Sequence, residues 1–230
     1  MGKLNKPNVL RDVLIVGSPI ILLGIIGSII GVESILGGTV INIGYVMMML
    51  FGAIILKRQS SSWSSLGLAF PNSWAKTLFL GVVAFVGALL LFIAVQIIFI
   101  AVISLFGMNP QEIDQSRFNP INNNTELYLL MLALAWTTIA FGEEMFFRAF
   151  LITRMLGNSS IKEWQAAVIA GILFGLIHFS EGAVGILSNA SFGIFFGWIF
   201  VKTGRNLWIP IIAHGFLNTM RFTILYFGVQ

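Results

Sequence analysis

Two glutamates and an arginine stand close together in an otherwise apolar stretch, AFGEEMFFRAFL, as Glu143, Glu144 and Arg148. An ionisable group inside a membrane-like segment costs about 2.5–3.5 kcal/mol even on the lenient insertion scale, so its presence is by default a functional hypothesis. Glu144 and Arg148 are spaced i, i+4 with the acid on the N-terminal side, the favoured order for a helical ion pair. Glu143 lies about 100° round the helix from Glu144, so the two carboxylates start in different directions. One carboxylate is then neutralised by Arg148, and the other is left available. The plainer alternative is three charged groups at a water-exposed helix end.

The chain has only two histidines, and both fall in apolar segments. His178 follows Phe174 by four residues (FGLIH), and His214 precedes Asn218 by four (HGFLN), so that His214 and Asn218 share one helical face. A lone membrane histidine is most often a hydrogen-bonded packing residue. Two of two, in separate segments and accompanied by an intramembrane glutamate, weigh against that reading. Counted back from the turn near residues 157–160, Glu143 lies about 20 Å along its helix, and His178 about as far along the next. The groups can therefore meet. Glu, His and Arg in such a setting suit proton transfer at a hydrolytic site, or proton- or ion-coupled transport.

The elements that must position these groups are membrane helices. Of 230 residues, 57% are hydrophobic and 10% charged, and the mean hydropathy is +0.94. A soluble domain carries about a quarter charged residues, so lipid is the expected solvent. The expected fold is all-α: one polytopic transmembrane bundle over residues 1–230, with about 7–8 spanning helices. Spans are expected at 13–31, 39–56, 77–105, 127–147, 164–179, 183–201 and 207–227. The third is long enough to tilt or break, which would give the eighth, and the stretch 146–156 could instead lie at the interface as a short amphipathic helix. Residues 1–105 then act as scaffold and 127–227 as the core that carries the chemistry.

No cysteine is present, which excludes disulfides, thiol catalysis and cysteine metal sites. The first apolar stretch is too long for a signal-peptide core, and no small-residue cleavage motif follows it. The net charge of +4 gives no case for nucleic acid, because the basic residues track alternate loops: Lys3, Lys6 and Arg11, then Lys57, Arg58 and Lys76, then Arg154 and Lys162, then Lys202 and Arg205. The opposite loops carry Glu33, then Glu112, Asp114 and Glu126, then Glu181. The positive-inside rule puts the basic loops and the N-terminus in the cytoplasm of a multi-pass cell-membrane protein.

The ordered set E-E-x-x-x-R, F-x-x-x-H and H-x-x-x-N, over about residues 127–227, resembles the CPBP family of intramembrane peptidases. That family includes the type II CAAX prenyl endopeptidases and the bacteriocin-processing enzymes. Glu143, Glu144 and Arg148 match the first motif, Phe174 and His178 the second, and His214 and Asn218 the third, with no departure at these positions. The resemblance implies an intramembrane endopeptidase acting on a membrane-associated peptide or protein precursor: a CAAX-type prenylated peptide, a bacteriocin or a pheromone precursor. It implies that Glu143 with His178 activates water and that His214 with Asn218 stabilises the tetrahedral intermediate. Glu144 and Arg148 form a structural ion pair, and Phe174 packs. Glu143, His178 and His214 could ligate zinc with a position left for water, while a metal-free, glutamate-activated water serves equally. Two rivals stand beside this reading. A coupled transporter lacks a matching ionisable partner in the N-terminal half. A non-catalytic immunity or scaffold relative would be expected to have lost Glu143 or a histidine, and neither is lost.

Overall fold

The computed structural model describes residues 8–31, 35–107, 116–157 and 160–228. Lys3, Lys6, Glu33, Glu112 and Asp114, which the charge reading uses, lie outside the described residues. Within them the chain is all-helical, with no strand. Seven helices follow in order: α1 Val9–Ile30, α2 Ile35–Arg58, α3 Trp74–Leu105, α4 Thr125–Leu156, α5 Glu163–Leu176, α6 Gly182–Lys202 and α7 Trp208–Tyr226. Five of them, α1–α4 and α6, are long and apolar enough to cross a membrane.

The two remaining expected spans differ for separate reasons. Helix α5 has 14 residues, about 21 Å at 1.5 Å per residue, and falls short of a hydrocarbon core about 30 Å thick. Helix α7 has 19 residues but spends many on polar groups, among them His214, Asn218, Thr219, Arg221 and Thr223. The third segment is one unbroken helix of 32 residues, so no extra span arises there. At about 48 Å it outruns the hydrocarbon core and must tilt or project.

The basic ends of the helices share one face. Gln59 after α2 donates to Asp12 at the start of α1 (2.6 Å). Asn206 before α7 donates to Thr77 of α3 (3.0 Å), and Lys202 pairs with Glu163 (3.2 Å). On the other face, Tyr128 of α4 bonds Thr223 of α7 (2.9 Å). Neighbouring helices thus run antiparallel, as short loops require. Helices α5 and α6 approach most closely, through small residues: a Cβ on Gly193 would come 2.5 Å from the Gly171 Cα. Such contact supplies the van der Waals packing that holds helices together where lipid offers no hydrophobic drive.

Helix α4 is the hub and packs against α1, α2, α5, α6 and α7. The stretch expected as a possible interfacial helix, 146–156, is instead the continuation of α4, and every residue from Gly142 to Ile152 is buried. Arg148, fully buried within it, finds its partners inside the bundle, so this side of the amphipathic pattern points inward. Two wide π-type turns, Ala135–Ile139 and Met145–Ile152, flank the two glutamates. Such turns are rare and recur at functional sites, because they re-aim side chains at the cost of regular hydrogen bonding.

Candidate active site

Glu143 and Glu144 occupy the short α-helical segment between those turns and are 3% and 0% exposed. Their side chains leave α4 in different directions, as the 100° offset requires, and meet the same imidazole from two sides. Glu144 Oε1 lies 2.9 Å from His214 Nδ1, and Glu143 Oε2 lies 3.7 Å from His214 Nε2. Glu144 is not merely neutralised by Arg148; it also holds the histidine. Helix α7 brings His214 there because Gly215 has no side chain. A Cβ at Gly215 would strike the Trp136 ring at 2.5 Å, and that indole donates to Thr219 Oγ1 of α7 at 3.0 Å.

The ion pair expected from the i, i+4 spacing is present: Arg148 Nε sits 3.0 Å from Glu144 Oε2, with both side chains fully buried. Arg148 Nη2 reaches the Gly193 carbonyl at 3.5 Å, a long contact. The guanidinium also lies over aromatic faces, 4.7 Å from the Phe174 centroid and 5.7 Å from that of Phe196. Cation–π contact is worth more when both groups are desolvated. Phe174 therefore does more than fill space. Its ring meets His178 at 5.1 Å and His214 at 6.2 Å, edge to face in both cases. It is the common neighbour of the arginine and both histidines.

His178 lies beyond the end of α5, in the turn before Phe179–Glu181. Non-helical backbone at membrane depth is tolerated where protein buries it or where it lines a water-filled cavity. Its Nδ1 lies 3.5 Å from Glu181 Oε1, and its Nε2 is buried without a hydrogen-bond partner. Neither His178 nor Asn218 makes a hydrogen bond or ion pair with the two glutamates. Asn218 stands one turn after His214 with its Nδ2 buried and unpaired. Glu143, Glu144, Arg148 and His214 are thus in direct contact, and Phe174 links His178 to them. The candidate zinc ligands Glu143, His178 and His214 do not come together as one set, and no group of three metal-ligating side chains forms among the described residues.

Sequence reasoning passed over one contact at the centre. Tyr45 of α2 is buried and donates its hydroxyl to Glu143 Oε1. Gly142 gives the ring its place: a Cβ there would meet Tyr45 Cδ1 at 3.0 Å. One turn earlier, Asn42 accepts a hydrogen bond from Thr138 of α4. Asn42 and Tyr45 are spaced i, i+3 in a segment otherwise rich in Ile, Gly and Met, and that polar pair was the available signal. Glu181, counted only as a loop charge, is the second residue missed.

No curated protein and no solved structure matches the chain. Residues 125–220, which hold all three motifs and both ends of the Glu144–His214 contact, match the family model described as type II CAAX prenyl endopeptidase Rce1-like.

Proposed function

We propose that the protein is an intramembrane endopeptidase that hydrolyses a peptide bond in a membrane-associated peptide or protein, of which a CAAX-type prenylated C-terminus is the leading class. The observation that carries this reading is a buried imidazole with a glutamate at each nitrogen, inside a region that matches a family of CAAX prenyl endopeptidases. Buried carboxylates and histidines are costly, and acid–base work repays that cost. The transporter reading has no comparable support.

In the proposed reaction, Glu143 is the general base. Water adds its oxygen to the scissile carbonyl carbon and gives its proton to Glu143, while His178 accepts the water's second hydrogen bond. The carbonyl oxygen becomes an oxyanion, for which Asn218 Nδ2 is the candidate donor, joined by His214 Nε2 in the imidazolium form, where both ring nitrogens donate. An orphaned buried amide such as that of Asn218 is what an oxyanion site in waiting would present. Glu143 then passes its proton to the departing amine as the C–N bond breaks. Glu144, clamped by Arg148, fixes the ring of His214. Because the three candidate zinc ligands do not converge, no step is assigned to a metal. We further propose that α1–α3 act as scaffold and that the N-terminus and the basic face lie in the cytoplasm.

The test uses purified protein in liposomes with labelled, membrane-anchored peptides, one prenylated at a C-terminal cysteine and one acylated instead. Cleavage confined to the prenylated peptide supports the CAAX class, and cleavage of both widens it. Ion flux with no cleavage of any anchored peptide would refute the peptidase reading. Loss of cleavage on chelation, restored by zinc, would show that the donor set rearranges around a metal.

A further inference from the structure

Each histidine turns Nδ1 towards a glutamate that an arginine also approaches, closely at His214 and more loosely at His178. His214 turns Nδ1 to Glu144 at 2.9 Å, and Arg148 pairs with that carboxylate at 3.0 Å. His178 turns Nδ1 to Glu181 at 3.5 Å, and Arg221 Nη1 stands 4.0 Å from the same oxygen. Glu181's other oxygen is also engaged. Asn189 of α6 donates from Nδ2 to Glu181 Oε2 at 3.0 Å and to the Gly185 carbonyl at 2.9 Å. Gly185 leaves room for this arrangement, since a Cβ there would overlap the Glu181 Cβ. The carboxylate is therefore fixed from α6 and α7 while it faces the imidazole. The Glu181 and His178 side chains are 12% and 24% exposed.

A carboxylate at Nδ1 keeps the proton on that nitrogen and leaves Nε2 as the acceptor. Here Nε2 is the nitrogen that is buried and unpaired. We propose that Glu181 is a positioning residue that holds His178 in the Nδ1–H tautomer, with Asn189 and Arg221 fixing the carboxylate, so that Nε2 can accept a hydrogen bond from water at the reaction centre. The consequence for catalysis rests on the peptidase reading; the tautomer and the ring orientation do not. The inference also gives the short α5 a purpose. By ending at Leu176, the helix frees the turn that carries both His178 and Glu181.

The chain's two histidines make the test tractable. In protein labelled with nitrogen-15 histidine, two imidazoles are observed, and His178→Ala assigns them. Nitrogen shifts should report a protonated Nδ1 and an unprotonated Nε2 for His178. Glu181→Ala should move the His178 resonances towards the Nε2–H tautomer, leave His214 in place, and lower kcat by about 10–100-fold with KM little changed. Glu181→Gln, whose amide oxygen still accepts, should keep more of the Nδ1–H form and of the rate. Should Glu181→Ala prove poorly folded, Asn189→Ala, which releases one oxygen only, should show a smaller shift in the same direction. An unchanged His178 tautomer in folded Glu181→Ala would overturn the proposal, as would a loss of rate carried wholly by KM. A shifted tautomer in a protein that cleaves no peptide would sustain the positioning role and remove the peptidase reading.

Discussion

Helices α1–α3 and α4–α7 are written in the same apolar alphabet, yet the two halves use it differently. On α3, Leu90, Ile97, Ile98 and Leu105 all face outward, as side chains do when lipid is the solvent. On α4 between Gly142 and Ile152 nothing faces outward, and the buried residues there include Glu143, Glu144 and Arg148. Lipid-facing surface can be written in almost any order of Leu, Ile, Val and Phe. A buried charge needs a particular partner at a particular place, so the C-terminal half carries motifs and the N-terminal half carries composition. The division concerns chemistry rather than packing, because α2 reaches into the site through Tyr45.

The contrast can be broken most sharply at Glu143. Glu143→Ala should abolish peptide turnover while the bundle stays folded, since the loss is of a base and not of a partner to Arg148. Cleavage that persists in folded Glu143→Ala would move the base elsewhere and dissolve the assigned roles.

Arg148 tests the energetic side of the comparison. Removing one member of a buried pair leaves an uncompensated charge and should cost about 3–5 kcal/mol. Arg148→Ala should therefore lower both folded yield and activity. Leu90→Ala on the outward face of α3 should change stability by no more than about 0.5 kcal/mol. Equal effects at the two positions, read as unfolding midpoints in one detergent, would erase the distinction between the halves.

Asn218 separates oxyanion stabilisation from structure. Losing one such donor typically costs about 10²–10³ in rate, and its Nδ2 has no hydrogen bond to lose within the protein. Asn218→Ala should thus be slow yet as stable as the parent. A destabilised Asn218→Ala with normal kcat would assign the residue to packing.

What could be read from the sequence follows from the range of the interactions. The Glu144–Arg148 pair was legible because helix geometry fixes an i, i+4 neighbour whatever the rest of the fold does. The first three helices were legible because hydropathy alone specifies them, and α1 at Val9–Ile30 and α3 at Trp74–Leu105 fall close to the expected spans. The segment 146–156 read as amphipathic because Arg148 and Arg154 interrupt it. Its burial depends on Phe174 and the Gly193 carbonyl, supplied by two later helices. The end of α5 at Leu176 was hidden for a related reason: the apolar run continues past it, and the turn is stabilised by contacts from α6 and α7 to Glu181. That both glutamates would meet His214 was not visible either. Only a long-range fold can set an imidazole between two carboxylates that begin 100° apart.

Tyr45 is the finest probe, because it asks whether the apolar half contributes to chemistry or only encloses it. A membrane tyrosine ordinarily marks the interface, but this one is buried with its hydroxyl on Glu143, 98 residues away in sequence. Tyr45→Phe keeps the ring beside Gly142 and removes only the donor. A hydrogen bond to a charged group contributes about 1.5–3 kcal/mol, and each 1.4 kcal/mol is about a factor of ten. If the phenol fixes Glu143 Oε1 so that Oε2 faces the reaction, kcat should fall by about 10–100-fold with KM held. The same bond counts towards folding, so the unfolding midpoint should fall as well, by no more than that amount, while the ring and its packing keep the bundle folded. An unchanged kcat would confine α2 to enclosure and leave the site wholly within residues 125–220. A fall in kcat in a variant that stays folded would extend the catalytic machinery into the helix that composition alone had marked as inert.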